Sequence, residues 1–327
     1  MDKKKLRIVY LGTPDFAVEP LKKLVEENYN IVGVVTNPDK PAGRGQKVQE
    51  SAVKQYAKSK NLTILQPEKF KNESFLKQLS DLKADLQIIV AFKMLPEVVW
   101  SMPRLGTLNL HASLLPHYRG AAPINWAIIN GEKSTGLTTF FLKHEIDTGN
   151  IVYREEIPIN ENDNAGLLHD RLMNLGSELI VKTVNSIIEG NYPQIKQSDF
   201  LHDGETIKLA PKIFKNDCEI NWNKDIHSIY NHIRGLSPYP AAWTELTNHE
   251  NQIVQLKIFE TTKECVEHSM ASGIIITDEK TFLKVTVNGG YIHILQLQQA
   301  GKNRLTITEF LRGFQNINKW QINNSKN

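Results

Sequence analysis

Leu6-Arg7-Ile8-Val9-Tyr10-Leu11 runs directly into Gly12-Thr13-Pro14. A short apolar run with β-branched members, stopped by Gly and Pro, reads as a buried strand ending in a turn. Phe16 to Glu27 follows with helical spacing, and Val18, Leu21, Leu24 and Val25 form one stripe. Ile31 to Thr36 is a second buried strand. The Pro- and Gly-bearing stretch from Asn37 to Gln46 reads as a loop. The alternation then repeats: a helix over 51–60 with Ala52, Val53, Tyr56 and Ala57 inward, a short strand over 63–65, a helix over 73–82, and strands over 86–91 and 108–111. Continuous apolar strands alternating with helices predict an α/β, Rossmann-like, mostly parallel sheet covered on both faces. Such sheets take ligands beyond the carboxyl ends of their strands. The first turn offers a single glycine, Gly12, where a dinucleotide site needs GxGxxG, so a nicotinamide enzyme is disfavoured.

Further along, 137–142 and 151–157 resemble paired strands around a turn at Asp147-Thr148-Gly149. Residues 167–189 read as a long helix with Leu168, Leu172, Leu175, Leu179 and Val181 toward a core. The polar stretch 191–208, with Pro193 and Gly204, reads as a linker. Beyond Ala210 a short helix over 226–234 precedes closely spaced segments at 242–246, 253–259, 273–277, 282–287 and 291–297. That texture predicts a small, OB-like β-barrel. The expected organisation is therefore a first domain over 1–190, a linker over 191–208 and a barrel domain over 209–327.

The 327 residues suffice for two such cores, and the composition is that of an ordinary globular protein. No run approaches a membrane span, and the N-terminus lacks the apolar core of a signal peptide, which points to the cytoplasm with no membrane partner. Cys218 and Cys265 have no CxxC or metal-type spacing and read as two buried or half-buried thiols. The net charge of +3 says little, but its distribution is uneven. Residues 39–60 carry Lys40, Arg44, Lys47, Lys54, Lys58 and Lys60 against Asp39 and Glu50. The last thirty carry Lys302, Arg304, Arg312, Lys319 and Lys326 against Glu309. Brought onto one face, these segments form a phosphate footprint; left apart, they are two solvated surfaces.

The chemistry-bearing cluster is Asn109-Leu110-His111 at a strand end, with Asp147 in its Asp-Thr-Gly turn. Strand alternation puts Asn109 and His111 on one side. Taken singly, each of the three is a common turn or strand-end residue. Together, an amide that donates to an oxyanion, an imidazole that moves protons near neutrality and a carboxylate that orients it form a set for acyl transfer to an amine. No nucleophilic Ser or Cys is paired with the base, which favours direct transfer.

The stretch Asn109-Leu110-His111-Ala112-Ser113-Leu114-Leu115-Pro116, with Tyr118-Arg119-Gly120, resembles the central motif of the folate-dependent formyltransferases. Gly136-Leu137-Thr138-Thr139 and Ile146-Asp147-Thr148-Gly149 resemble that family's second motif. Leu11 to Ala17, Pro41 to Gly45, Ala210 to Ile213, Ile233-Arg234 with Pro238 to Ala241, and Gly301-Lys302 resemble the members that act on methionyl-tRNA, so the resemblance spans nearly the whole chain. It implies 10-formyltetrahydrofolate as donor, methionyl initiator tRNA as acceptor, no metal, and a monomer. It further implies that Asn109, His111 and Asp147 are catalytic; the mechanism expected of them has Asn109 and a protonated His111 stabilising the oxyanion, with Asp147 keeping His111 charged and oriented. Ser113, Leu114, Leu115 and Pro116, with Ala91 and Phe92, would line the folate. Arg44 would contact the tRNA acceptor end; by their charge, Lys40, Lys47, Lys302 and Arg304 are further candidate tRNA contacts. A sugar-nucleotide formyltransferase using the same donor is the alternative. His144-Glu145 departs from the family pattern, and His144 is expected to face solvent.

Overall fold

The computed structural model describes residues 2–42 and 47–323, without the side chains of 42 and 47. The chain divides into two compact units that are not contiguous in sequence. One comprises 1–120, 136–157 and 169–209; the other comprises 121–135, 158–168 and 210–327. This differs from a linear division near residue 190. The segments 121–135 and 158–168 group with the C-terminal unit, and 191–208 belongs to the first unit rather than standing free as a linker.

The first unit is built on strands β1 (Arg7–Gly12), β2 (Asn30–Val35), β3 (Lys40–Ala42), β4 (Lys47–Gln49), β5 (Ile64–Leu65), β6 (Leu86–Val90), β7 (Thr107–His111), β8 (Arg119–Gly120), β9 (Ser134–Phe141) and β10 (Ile151–Pro158). Its seven-stranded sheet has the order β10-β9-β7-β6-β1-β2-β5. The five strands from β5 to β7 are mutually parallel, and β9 runs antiparallel to β7. Every residue of β6 is buried, as the unbroken apolar reading requires of a strand covered on both faces. On one face Val9, Leu11, Val35 and Ile89 pack with Phe75, Leu79, Leu95 and Val99. Phe75 and Leu79 come from the helix Glu73–Asp81, where the Asn72 side chain caps the first turn by accepting from Phe75 N.

The segment 37–46, read as a loop, is corrected in part. Residues Lys40 to Ala42 pair antiparallel with Lys47 to Gln49, so β3 and β4 are the arms of a hairpin. Pro41 within an edge strand loses no ladder bond that an interior strand would need. The hairpin base is fixed by Lys54 Nζ at 2.5 Å from Asp39 Oδ2 and by Gln66 Nε2 donating to Asn37 O and Asp39 Oδ1.

In the second unit, helices Pro123–Ile129 and Ile226–Leu236 pack together, and Asn125 Nδ2 donates to Gly235 O at 2.8 Å. The barrel is an antiparallel sheet running through 275–277, 283–287, 290–299, 253–265, 242–248 and 320–322, with 304–306 paired to 290–299. The 253–265 strand is longer than the expected 253–259. It continues through register shifts at Ile258 and Glu260, the irregularity that lets a strand bend around a small barrel. Trp222 is fully buried in this core and donates from Nε1 to Thr244 Oγ1. Cys218 is buried in it, but Cys265 is exposed at the strand end, against the expectation for that thiol. No helix is long and apolar enough to cross a membrane among the described residues.

Candidate active site

Strand β7 ends the parallel series, and its register sets the site. Asn109 lies opposite Ile89 of β6 and Phe140 of β9, and His111 lies opposite Thr138. Asn109 and His111 share a strand face, about 6.6 Å apart by strand rise. The Asn109 side chain makes no hydrogen bond among the described residues, so its amide is uncommitted. His111 is buried, and its Nε2 lies 2.8 Å from Tyr118 O. A carbonyl oxygen only accepts, so Nε2 carries the proton of that bond. Nδ1 is therefore the nitrogen left for chemistry, and it lies 3.9 Å from Asp147 Oδ2. That separation is too long for a hydrogen bond.

Asp147 is itself nearly buried and adopts φ +54, in the left-handed region that Asp tolerates better than most residues. Its Oδ2 accepts from Gly120 N at 3.0 Å. The structure thus brings an imidazole and a carboxylate from separate stretches of chain together beyond the strand ends, beside an amide on the same face.

The expected folate segment is mostly inward. Ser113, Leu115 and Pro116 are buried and Leu114 is half-buried. The Ser113 hydroxyl donates to His117 O, and Thr138 Oγ1 both donates to Ser113 O and accepts from Leu115 N. The segment is thus held mostly inward, with Leu114 its partly exposed member. Gly136 of the second motif is explained by the same packing: a Cβ there would lie 2.0 Å from Glu155 O and 2.6 Å from Leu114 Cδ2. Ala91 is exposed at φ +46 just past β6, while Phe92 is half-buried against the sheet core and Phe70. Two surface depressions, lined by residues of 66–78 and of 69–71 with 94–96, include none of Asn109, His111 and Asp147.

His144 is largely exposed, as expected, though its ring stands edge-on to Trp100 and Nε2 lies 3.4 Å from Glu97. Among the expected tRNA contacts, Arg44 and the side chain of Lys47 lie outside the described residues. Lys40 is exposed and makes no ion pair among the described residues. Two of its neighbours in the basic segment are held in ion pairs. Lys54 pairs with Asp39 and Glu50, and Lys58 pairs with Glu50. The Lys54 ammonium holds the Asp39 carboxyl below the usual carboxylate range, and the bond to Asp39 raises Lys54 in turn. Lys302 and Arg304 are exposed on the second unit, with the Arg304 guanidinium 4.2 Å over the Phe259 ring.

Gln197 was not singled out by sequence. It sits in the stretch read as a linker, yet it is buried and donates to both Asp147 O and Gly149 O. No local pattern marks it; the partners lie about fifty residues away in sequence.

A parallel-rich sheet carrying an amide, an imidazole and a carboxylate past its strand ends has the kit of a group-transfer enzyme. The sequence matches the formyl transferase family over residues 6–184 and the formyl transferase C-terminal domain over residues 212–315, and the chain belongs to that family. Its relatives include the methionyl-tRNA formyltransferase of Bacteroides fragilis, 59% identical over 314 residues that cover 96% of this chain and 97% of the relative. The methionyl-tRNA formyltransferase of Bacteroides thetaiotaomicron is 56% identical over 323 residues, covering 99% and 100%. Among solved structures, the N-formyltransferase of Helicobacter canadensis in complex with folinic acid and dTDP-3-aminofucose superposes with a TM-score of 0.64. It covers 90% of this chain and 99% of its own at 21% identity, a likeness of fold.

Proposed function

We propose that this protein transfers the formyl group of 10-formyltetrahydrofolate to the α-amino group of methionyl initiator tRNA, in the cytoplasm, as a monomer serving translation initiation. The observation that carries the choice of acceptor is the near-full-length identity to methionyl-tRNA formyltransferases. The sugar-nucleotide alternative has behind it only a likeness of fold. The decisive assay incubates the protein with charged initiator tRNA and labelled 10-formyltetrahydrofolate and follows label into acid-precipitable RNA. Label is expected there; its absence, with label passing to an amino sugar nucleotide instead, overturns the reading.

In this mechanism the α-amine of the methionyl ester, which titrates near neutrality, attacks the formyl carbon in its uncharged form. The N–C bond forms, the bond to folate N10 breaks, the amine gives up one proton and N10 gains one. The uncommitted Asn109 amide and a protonated His111 Nδ1 donate to the oxyanion that develops on the formyl oxygen. In this scheme Nε2 keeps its bond to Tyr118 O while Nδ1 serves the chemistry. Asp147 offsets the positive charge on the ring and is placed to help carry the departing amine proton. Folate docks past β6 and β7, against Ala91, Phe92 and the 113–116 loop.

For the acceptor, Lys40, Arg44 and Lys47, and Lys302 and Arg304 on the second unit, are assigned to tRNA phosphates or grooves. Arg44→Ala is expected to raise the tRNA concentration for half-maximal rate about tenfold, one charge-assisted contact, with folate affinity unchanged. A loss of folate affinity instead would mean the hairpin has been misassigned. Lys302→Ala and Arg304→Ala should each make tRNA affinity less steep in salt, by about 0.7–0.9 in log–log slope per lost phosphate contact.

A further inference from the structure

Resting on the assignment of Asp147 to the catalytic group, we propose that Gln197 is a positioning residue for formyl transfer. Its buried amide, oriented by Arg119, holds the 147–149 turn so that the carboxylate meets His111. Gln197 is 6% exposed. Its Nε2 donates to Asp147 O at 2.7 Å and to Gly149 O at 2.9 Å, so one amide grips both ends of the turn. Its Oε1 accepts from Arg119 Nε at 3.1 Å and Nη2 at 2.6 Å. Guanidinium nitrogens only donate and carbonyls only accept, so these contacts permit a single amide orientation.

The partners explain why this is more than a satisfied polar group. Asp147 has a left-handed backbone, which its neighbours must impose. The carboxylate is fixed by Gly120 N, and Gly120 follows Arg119 directly. One two-residue segment therefore holds the side chain of Asp147 through its backbone and the main chain of Asp147 through Gln197. Tyr118, just before that segment, is the residue whose carbonyl binds His111 Nε2. Both members of the His111–Asp147 pair are referred to the stretch 118–120, and Gln197 closes the frame.

The test uses the full-length enzyme, steady-state kinetics and thermal melting, with Gln197→Glu, Asp147→Asn and the double variant. A carboxylate in place of the Gln197 amide would keep the acceptor for Arg119 but set an oxygen against two carbonyl oxygens. Gln197→Glu is expected to lower kcat about 100-fold, the cost of misplacing a reacting group by about 1 Å. KM for folate and for tRNA should stay within about twofold, the signature of a transition-state effect. In the Asp147→Asn background the same change should lower kcat no more than about threefold, because Gln197 acts through Asp147. Wild-type kcat in Gln197→Glu, a shift in melting alone, or a full ~100-fold loss in both backgrounds overturns the inference. If Asp147→Asn itself keeps wild-type kcat, the catalytic reading of Asp147 fails and this inference falls with it. Should Gln197→Glu not fold, Arg119→Met leaves the amide in place but free to turn. It is expected to lower kcat about tenfold at unchanged KM, and wild-type kcat there overturns the inference.

Discussion

His111→Ala is expected to lower kcat by about 100- to 10,000-fold, the range for losing a group that handles protons and charge in the transition state. The geometry explains why no neighbour substitutes for it. Nε2 is held on Tyr118 O, Nδ1 is turned to the Asp147 carboxylate 3.9 Å away, and Asn109 on the same face supplies only neutral donors. The fold should survive. The ring lies at a strand end, and its removal leaves one carbonyl, that of Tyr118, without this partner, a cost of about 1–3 kcal/mol against a typical total of about 5–15. The comparison is a single-turnover rate at saturating folate beside a thermal melt of the same preparation. A rate within about threefold of wild type, in protein that melts normally, would remove His111 from the mechanism.

Gly149→Ala carries the second large effect, and it falls on folding and activity together. A Cβ at this position would lie 1.6 Å from Phe141 O, 2.8 Å from Phe141 C and 3.0 Å from Phe140 Cδ2. The obstructing atoms are mostly backbone of β9, so no side-chain rotation relieves the clash. The turn and the strand must part by roughly 1 Å or more, and the expected destabilisation is about 3 kcal/mol, at the upper end for overpacking a tight site. The same displacement carries Asp147 away from His111 and breaks the bond from Gln197 to Gly149 O, so the folded fraction should turn over about 100-fold more slowly. Gly313→Ala is the control: nothing lies within 4 Å of its Cβ and its backbone is not left-handed, so it should be neutral or stabilising by up to about 1 kcal/mol. Denaturant melts of the two variants decide the matter, and equal midpoints for Gly149→Ala and wild type would rule out the steric account.

Much of the first unit was legible because its signals are local. The apolar runs at 6–11, 31–36 and 86–91 became β1, β2 and β6, and Leu21, Leu24, Val53 and Ala57 face the core as their spacing predicts. The stripe was less exact at its edges, since Val18, Val25 and Tyr56 are only half-buried. Two helices carried start signals that were not read. Pro123 opens the helix 123–129 as an N1 proline, and Thr306 with Glu309 forms a capping box for the helix 307–313. Both helices are short, seven residues each, and too brief for periodicity to announce them. The 40–49 hairpin escaped for a different reason: Pro and Gly mark a turn but do not say whether its arms pair.

Local sequence sets which residue types stand at strand ends and turns: an amide and an imidazole two apart on β7, a carboxylate before Thr-Gly, and the motif set that places the chain in its family. Those are properties of period-two alternation and of residue chemistry, and they need no neighbours. Long-range packing settled that His111 presents Nδ1 to Asp147, that Lys54 and Lys58 pair with acids, and that Gln197, from an apparent linker, bonds both ends of the 147–149 turn. Each of these depends on groups that the chain brings together from separate segments, and contact between such groups leaves no period or spacing in the sequence to be read.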